Sequence, residues 1–176
     1  MGLKEISWDQ ALEWASPFPY VLVVSLDQGG RPNAMGVGWW SIVSWEPRLL
    51  AISVAPERYT YECLKARGEF TLCFPSKDLK EAAWLCGTRS GRKVDKFALG
   101  KLKGIPSRFV RPPLLEGSTV AFECRIKEEM EAGDHVLFLA EILATYGDEG
   151  RLLHLYSIHY RKLVAIDCKG TYKFDL

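Results

Sequence analysis

The feature that most constrains this chain is a series of short, apolar, β-rich segments, which tight turns separate at intervals of about 8–15 residues. Residues 20–26 form a continuous apolar run, and Glu69–Pro75 alternates apolar and polar side chains with the period of a half-buried strand. Turn residues occupy positions 27–30 and 133–134. Strands at this spacing are typical of antiparallel barrels. We therefore predict a mainly β fold, a β-barrel with short helices.

Three short helices are predicted between the strands. Ser7 and Gln10 fit a capping box, which begins a helix that extends to about residue 15. A second helix is predicted over residues 60–66. Asp78 and Glu81 fit another capping box, which indicates a helix to about residue 86.

Composition and charge are those of an ordinary globular protein. The 176 residues suit a single domain, residues 1–176, and 48% are hydrophobic while 26% are charged. A net charge of +1 gives no support to a nucleic-acid or membrane-surface partner. No apolar run approaches the length of a membrane span and no signal segment is visible, so we expect a cytoplasmic protein.

The cysteines and histidines give no metal-binding pattern. The five cysteines contain no CxxC pair, and the three histidines are not clustered with them in sequence. We therefore predict no metal site, and buried or half-buried thiols in a reducing compartment. The cysteines are Cys63, Cys73, Cys86, Cys124 and Cys168.

Residues 32–75 contain the first candidate binding segment. Gly36 and Gly38 lie beside Trp39 and Trp40 in a region that otherwise favours a strand. Glycine permits close approach of a ligand to the backbone, and aromatic walls suit a flat ring. The same glycines also suit a simple kink at a barrel corner. The pattern alone leaves both interpretations open.

Polar residues surround the point where the next strand gives way to a helix. Ser53 belongs to the strand, and Arg58 and Thr60 stand near the helix start. An arginine fork, hydroxyl groups and free helical N–H groups suit a phosphate. Arg58 also suits a surface ion pair with Glu57 or Glu62, and Thr60 also suits an ordinary N-cap. The preceding segment suits a flat ring and these residues suit a phosphate, so together they fit a flat ligand with a phosphate tail.

Residues 87–96 form the most polar segment, with four cations in ten residues. Such a run usually marks a solvated surface loop, and the alternative is a loop that folds over an anion.

Trp39 and Trp40 point to opposite faces of a strand, so one can face a ligand while the other belongs to the core or to a dimer interface. Trp45 is predicted to pack.

Taken in order, these segments resemble the flavin reductase-like proteins built on the FMN-binding split barrel, in particular their flavoredoxin subgroup. The resemblance extends from about residue 16 to residue 160. Gly36 stands where many relatives have threonine, and Cys73 stands where many have asparagine. The matching segments are residues 33–40, 47–53, 58–62, 68–70, 74–75, 90–91, 94–97 and 133–135.

The resemblance implies a split barrel of about six antiparallel strands that forms a homodimer, with FMN near the dimer interface. Residues 33–41 would line the isoalloxazine ring, residues 53–60 would hold the ribityl phosphate and residues 90–96 would close over the cofactor. The FMN-binding residues that it implies are Asn33, Ala34, Met35, Gly36, Val37, Gly38, Trp39, Ser53, Arg58, Tyr59, Thr60, Ser90, Gly91, Lys93 and Lys96.

The implied function is that of an FMN-dependent oxidoreductase that transfers electrons through bound FMN, with NAD(P)H or a redox protein as the donor. No G-x-G-x-x-G motif follows a strand, so no Rossmann nicotinamide domain is predicted. His135 is the one candidate catalytic residue, close to the flavin, and its alternative is a turn histidine bonded to a backbone carbonyl. Cys73 is predicted to be an unreactive strand residue, with a redox thiol as the alternative.

Two other functions remain open at this point. One is a non-enzymatic FMN electron carrier that only protein partners reduce, which the tandem Trp39-Trp40 favours. The other is a cofactor-free domain that binds a haem-like or small aromatic ligand.

Overall fold

The computed structural model describes residues 2–159 and 161–167; Met1, Tyr160 and residues 168–176, which include Cys168, lie outside this part of the chain. Its helices are α1 (Trp8–Trp14), α2 (Tyr59–Arg67), α3 (Lys80–Thr88) and α4 (Lys96–Leu99). Its strands are β1 (Phe18–Pro19), β2 (Val21–Leu26), β3 (Pro32–Val37), β4 (Trp40–Ser44), β5 (Leu49–Val54), β6 (Glu69–Pro75), β7 (Gly104–Ile105), β8 (Leu114–Leu115), β9 (Ser118–Ala132), β10 (His135–Gly147), β11 (Leu153–Ile158) and β12 (Lys162–Asp167).

The main sheet is antiparallel, with the strand order β3-β2-β6-β9-β10-β5-β4. A second sheet has the order β1-β11-β12, and β7 pairs with β8. The prediction of a mainly β fold with short helices is confirmed. The main sheet contains seven strands in the described residues, close to the six that the resemblance implies.

The main sheet buries both of its faces. One core contains Val23 of β2, Leu50 of β5 and Phe138 of β10, with Leu64 of α2. Because β2 and β5 stand far apart in the strand order and yet share one cluster, the sheet curls around this core. The other face packs against α3, β8, β11 and β12, with Leu22 and Leu155 among its buried residues.

The two predicted capping boxes have different outcomes. Ser7 caps α1 and exchanges hydrogen bonds with Gln10, as predicted, although none of the residues of α1 is buried. The second capping box is wrong: Leu79 is the N-cap of α3 and has no side-chain cap bond. The carboxylate of Asp78 instead pairs with Arg151, 2.5 Å away.

The tryptophans that follow β3 divide as the pleat of a strand requires. Trp40 packs edge-on against Phe74, with ring centroids 5.1 Å apart, and its indole N–H donates to the Pro19 carbonyl. Trp39 faces away from this core. The prediction that Trp45 packs is wrong within the chain, because its side chain is 89% exposed beyond the end of β4.

The four cysteines in the described residues, Cys63, Cys73, Cys86 and Cys124, are buried free thiols. This part of the chain contains no group of three or more residues that could hold a metal ion. It also contains no helix that is long and apolar enough to cross a membrane.

Candidate functional site

A cleft of about 650 Å³ opens where six segments of the fold meet. They are the end of β3 with residues 38–39, the end of β5, the start of α2, the end of α3 with the following loop, the first residue of α4, and the first residue of β10. The volume lies in the range of cofactor sites, about 300–1,000 Å³. Segments that are far apart in sequence therefore converge on one concave surface.

Most of the predicted site residues line this cleft. All of them do so except Asn33, Ala34 and Lys93. Asn33 and Ala34 are buried behind the lining, and Lys93 is exposed on the loop. The predicted residues in the lining are Met35, Gly36, Val37, Gly38, Trp39, Ser53, Arg58, Tyr59, Thr60, Ser90, Gly91, Lys96 and His135.

Thr60 is held from behind by Asn33. The Asn33 amide N–H donates to the Thr60 hydroxyl oxygen over 2.9 Å, and both side chains are buried. The N-cap alternative for Thr60 is wrong, since Arg58 occupies that position. Because the Thr60 oxygen accepts from Asn33, its own O–H remains a donor beside the cleft.

The cleft concentrates positive charge. Its lining contains four cations and a single carboxylate, whereas the whole chain has a net charge of +1. Nε of Arg58 is 3.6 Å from Oε1 of Glu57, so the ion pair that was the alternative role for Arg58 forms with Glu57 on the rim of the cleft. The cations are Arg58, Arg89, Arg92 and Lys96, and the carboxylate is that of Glu57.

Lys96 is the buried member of this set. Its ammonium group donates to the carbonyl oxygens of Ala34 and Cys86, each over 2.8 Å. Burial lowers the pKa of this lysine and raises that of the Cys86 thiol to about 11. Lys96 therefore ties β3 to the end of α3, and its third N–H remains beside the cleft.

Trp39 and His135 form the aromatic part of the lining. Their ring centroids are 4.8 Å apart with a tilt of 43°, and Trp39 is 41% exposed. Nδ1 of His135 lies 2.7 Å from the carboxylate of Asp134. The predicted bond from this histidine to a backbone carbonyl is therefore wrong: the ring is held by a carboxylate and a tryptophan.

The loop over residues 90–92 borders the cleft and docks on the first turn of α2. Arg92 donates to the Glu57 carbonyl over 2.8 Å, pairs with Glu62, and lies over the Tyr59 ring at 5.6 Å. A Cβ atom on Gly91 would lie 2.8 Å from Cδ1 of Tyr59. The loop is thus fixed against α2 rather than freely solvated.

A flavin reductase-like domain model matches residues 15–164 of the chain. The chain belongs to the flavin reductase-like family. An uncharacterised protein of Archaeoglobus fulgidus is 36% identical over 78% of this chain and 77% of its own length. The NADH:riboflavin 5'-phosphate oxidoreductase of Streptomyces pristinaespiralis is 30% identical over 74% of this chain and 70% of its own.

The same family includes similar solved structures. A flavoredoxin from Methanosarcina acetivorans superposes with a TM-score of 0.83, is 25% identical, and is matched over 94% of this chain and 92% of its own. The recognition of the flavin reductase-like family from sequence segments is therefore confirmed.

Cys73 does not contribute to the cleft. Cys73 is fully buried in β6, between Leu22 of β2 and Ala121 of β9. Burial raises the pKa of its thiol. A redox role would need a thiolate that a partner can reach, so the structure favours the predicted unreactive strand residue.

Sequence reasoning missed several residues of this flavin reductase-like cleft. Arg89 and Arg92 belong to the polar loop, whose four cations were the available signal. Glu57 lies in the segment 53–60 that was predicted to hold the phosphate, but it was named individually only as an ion-pair partner of Arg58. The end of α3 carried no local signal, because only tertiary packing brings it to the cleft. The lining residues that were not named individually are Val54, Ala55, Glu57, Cys86, Gly87, Thr88, Arg89 and Arg92, and of these only Cys86 lies outside the predicted segments 53–60 and 87–96.

Proposed function

We propose that this protein is an FMN-binding oxidoreductase that transfers electrons through FMN held in the cleft. The observation that carries the proposal is that one cleft of a flavin reductase-like fold combines a cationic wall with an aromatic pair, of which Trp39 is exposed. FMN combines a dianionic phosphate with a flat ring, and each half fits one of these features.

The donor groups of the chain suit a phosphate at the start of α2. Arg58 supplies a guanidinium fork there, and Thr60 keeps a hydroxyl proton because Asn33 occupies its oxygen. The first N–H groups of a helix and its dipole also favour an anion. These groups would hold the phosphate by charge and by directed hydrogen bonds together.

The remaining lining would hold and orient the ring. Bound FMN would supply the two-electron chemistry, which belongs to the cofactor. Trp39 would stack against the ring, and the N–H of Lys96 that no carbonyl of the described residues accepts would offset negative charge. His135, held by Asp134, would exchange a proton or a hydrogen bond at the mouth of the cleft.

NAD(P)H is the donor proposed for the enzyme. A relative at 30% identity is an NADH:riboflavin 5'-phosphate oxidoreductase, which supports this choice. A second candidate function is that of an electron carrier that a redox protein reduces, and the flavoredoxin likeness supports it. Trp39, which is partly exposed, leaves the aromatic part of the cleft accessible to either donor.

We further propose a homodimer with FMN near its interface. The strand β4 is one edge of the main sheet, contains no charged residue, and exposes Ile42 and Val43. Trp45 adds a large exposed ring next to it. An uncharged apolar edge of this kind is a surface that proteins usually cover.

The test begins with an absorbance spectrum of the purified protein, with FMN added if no flavin is present. NADH and then NADPH are added without oxygen. Prompt bleaching of the flavin bands supports the NAD(P)H-dependent enzyme. Bands that remain until a reduced protein donor is supplied support the carrier. If FMN does not bind at all, the proposed function is wrong.

A further inference from the structure

A second cavity lies behind the wall of the first. It has a volume of about 240 Å³ and is lined by Asp27, Gln28, Gly29, Tyr59, Glu62 and Cys63. Tyr59 lines both cavities, and Glu62 of the second cavity pairs with Arg92 of the first. The Tyr59 ring and the Arg92–Glu62 pair therefore form a partition between the two spaces.

The partition is fixed at both of its ends. On the side of the second cavity, the Tyr59 hydroxyl donates to the carboxylate of Asp27 over 3.1 Å. On the side of the cleft, Arg92 lies over the Tyr59 ring and donates to the Glu57 carbonyl. A side chain on Gly91 would collide with Tyr59, so the loop packs directly against the ring.

The residues that line the two sides of the partition differ in charge. The lining of the cleft has four cations against one carboxylate, whereas the described residues that line the second cavity include two carboxylates and no cation. Both carboxylates are already paired, Asp27 with Arg31 and Glu62 with Arg92. The pKa of the Asp27 carboxyl is lowered, and the largest cause is the hydrogen bond that it accepts from the backbone N–H of Arg31. Asp27 is therefore ionised at neutral pH.

We propose that this partition makes the chain select FMN over FAD, an inference that rests on the proposed flavin function. FMN ends at the phosphate, which would lie at the start of α2 on the cationic side. FAD continues from that phosphate into a second phosphate and a nucleoside. That extension would have to displace Arg92 from Glu57 and Glu62, or pass over it into solvent, and the described lining of the second cavity offers no cation for the second phosphate.

The experiment is a set of fluorescence titrations with FMN, FAD and riboflavin. The wild-type protein is expected to bind FMN at least about tenfold more tightly than FAD. Arg92→Lys keeps the positive charge but loses the fork that spans two acceptors, and Arg92→Ala loses both. Each variant is expected to reduce the FAD-to-FMN ratio of dissociation constants to below about threefold. Lys93→Ala removes a cation from the same loop outside the cleft and should leave the ratio unchanged.

Three results would overturn the inference while the flavin function stands. They are equal affinity of the wild type for FMN and FAD, a ratio that both Arg92 variants leave intact, and an equal loss of the ratio in Lys93→Ala. If neither flavin nor riboflavin binds, the proposed function fails, and the inference fails with it.

Discussion

A Cβ atom built on Gly36 would lie 1.7 Å from the hydroxyl oxygen of Tyr20. The hydroxyl group passes over Gly36 and donates to the Ala83 carbonyl of α3 over 3.1 Å. A Cβ atom on Gly87 would also lie 2.3 Å from this oxygen. Two glycines thus leave the space through which Tyr20 joins the sheet to α3.

Gly36→Ala should therefore destabilise the fold. The surroundings cannot shift at a low energetic cost, because the obstructing group is the buried ring of Tyr20. We expect a loss of about 1–3 kcal/mol in the free energy of unfolding, the range for overpacking a core. Chemical denaturation measures it.

The matched control is Gly147→Ala, also in a strand, where the nearest atom to a new Cβ is the Thr119 carbonyl oxygen at 3.7 Å. This variant should change the stability little. Equal stability of the Gly36 and Gly147 variants would contradict the argument from Tyr20.

Arg58→Ala should weaken FMN binding, because Arg58 lines the cleft at the N-cap of α2. Loss of a charge-assisted contact corresponds to about 1.5–3 kcal/mol. The side chain is 62% exposed, so solvent screening favours the lower end of that range. Flavin fluorescence titration gives the affinity.

Lys93→Ala is the control for Arg58→Ala. The sequence predicted both residues to bind the cofactor, but in the structure only Arg58 lines the cleft. We expect the affinity of the Lys93 variant to change by less than about twofold. If the two variants lose FMN affinity equally, long-range charge rather than position determines binding.

The parts of the site that could be predicted from sequence are those with a local pattern. Gly36 to Trp39 and Arg58 to Thr60 combine turn, helix-start and aromatic signals within a few residues. The contribution of Cys86 could not be predicted, because it depends on how α3 packs against β3. Trp45 was predicted to pack because tryptophan is usually buried, and a single chain shows only its exposed state.

Trp45→Glu should convert the proposed homodimer into a monomer, because it puts a charge on the apolar edge next to β4. Light scattering coupled to gel filtration reports the mass. Met130→Glu is the control, since Met130 is 59% exposed on a different strand, β9. A wild-type protein that is monomeric at micromolar concentration would refute the dimer.

His154 should make the stability depend on pH. Burial lowers the pKa of this histidine, and its Nδ1 atom has no hydrogen-bond partner in the described part of the chain. The unfolded chain, with a histidine pKa of about 6.5, therefore binds the proton more readily than the folded protein does. Stability should be highest above that pKa and should fall as the pH drops through it.

His154→Phe should reduce this pH dependence, since a phenyl ring can pack beside Phe74 and Tyr156 without titrating. Melting temperatures between pH 8 and about 5.5 measure it, a window in which ordinary carboxylates remain ionised. Identical slopes in the wild type and the variant would show that His154 is not the titrating group.

Glu123→Gln should loosen the connection between β7 and β8. The buried carboxylate of Glu123 accepts hydrogen bonds from the backbone N–H groups of Arg108, Phe109 and Val110 and from the Tyr146 hydroxyl. Burial alone would raise the pKa of this carboxyl, but these donors outweigh it and hold the pKa below its usual value. The stability that the ionised group contributes is therefore present at neutral pH and is lost as the pH falls through the folded-state pKa.

The amide of glutamine replaces one accepting oxygen with a donor, which faces N–H groups. We expect a loss of about 3 kcal/mol or more in the free energy of unfolding at neutral pH, because buried donors lose a charged partner. Trypsin should then cut faster after Arg108, which lies in the released segment. Unchanged stability with unchanged proteolysis would mean that the connection is held by its apolar contacts instead, Val110 and Leu114 among them.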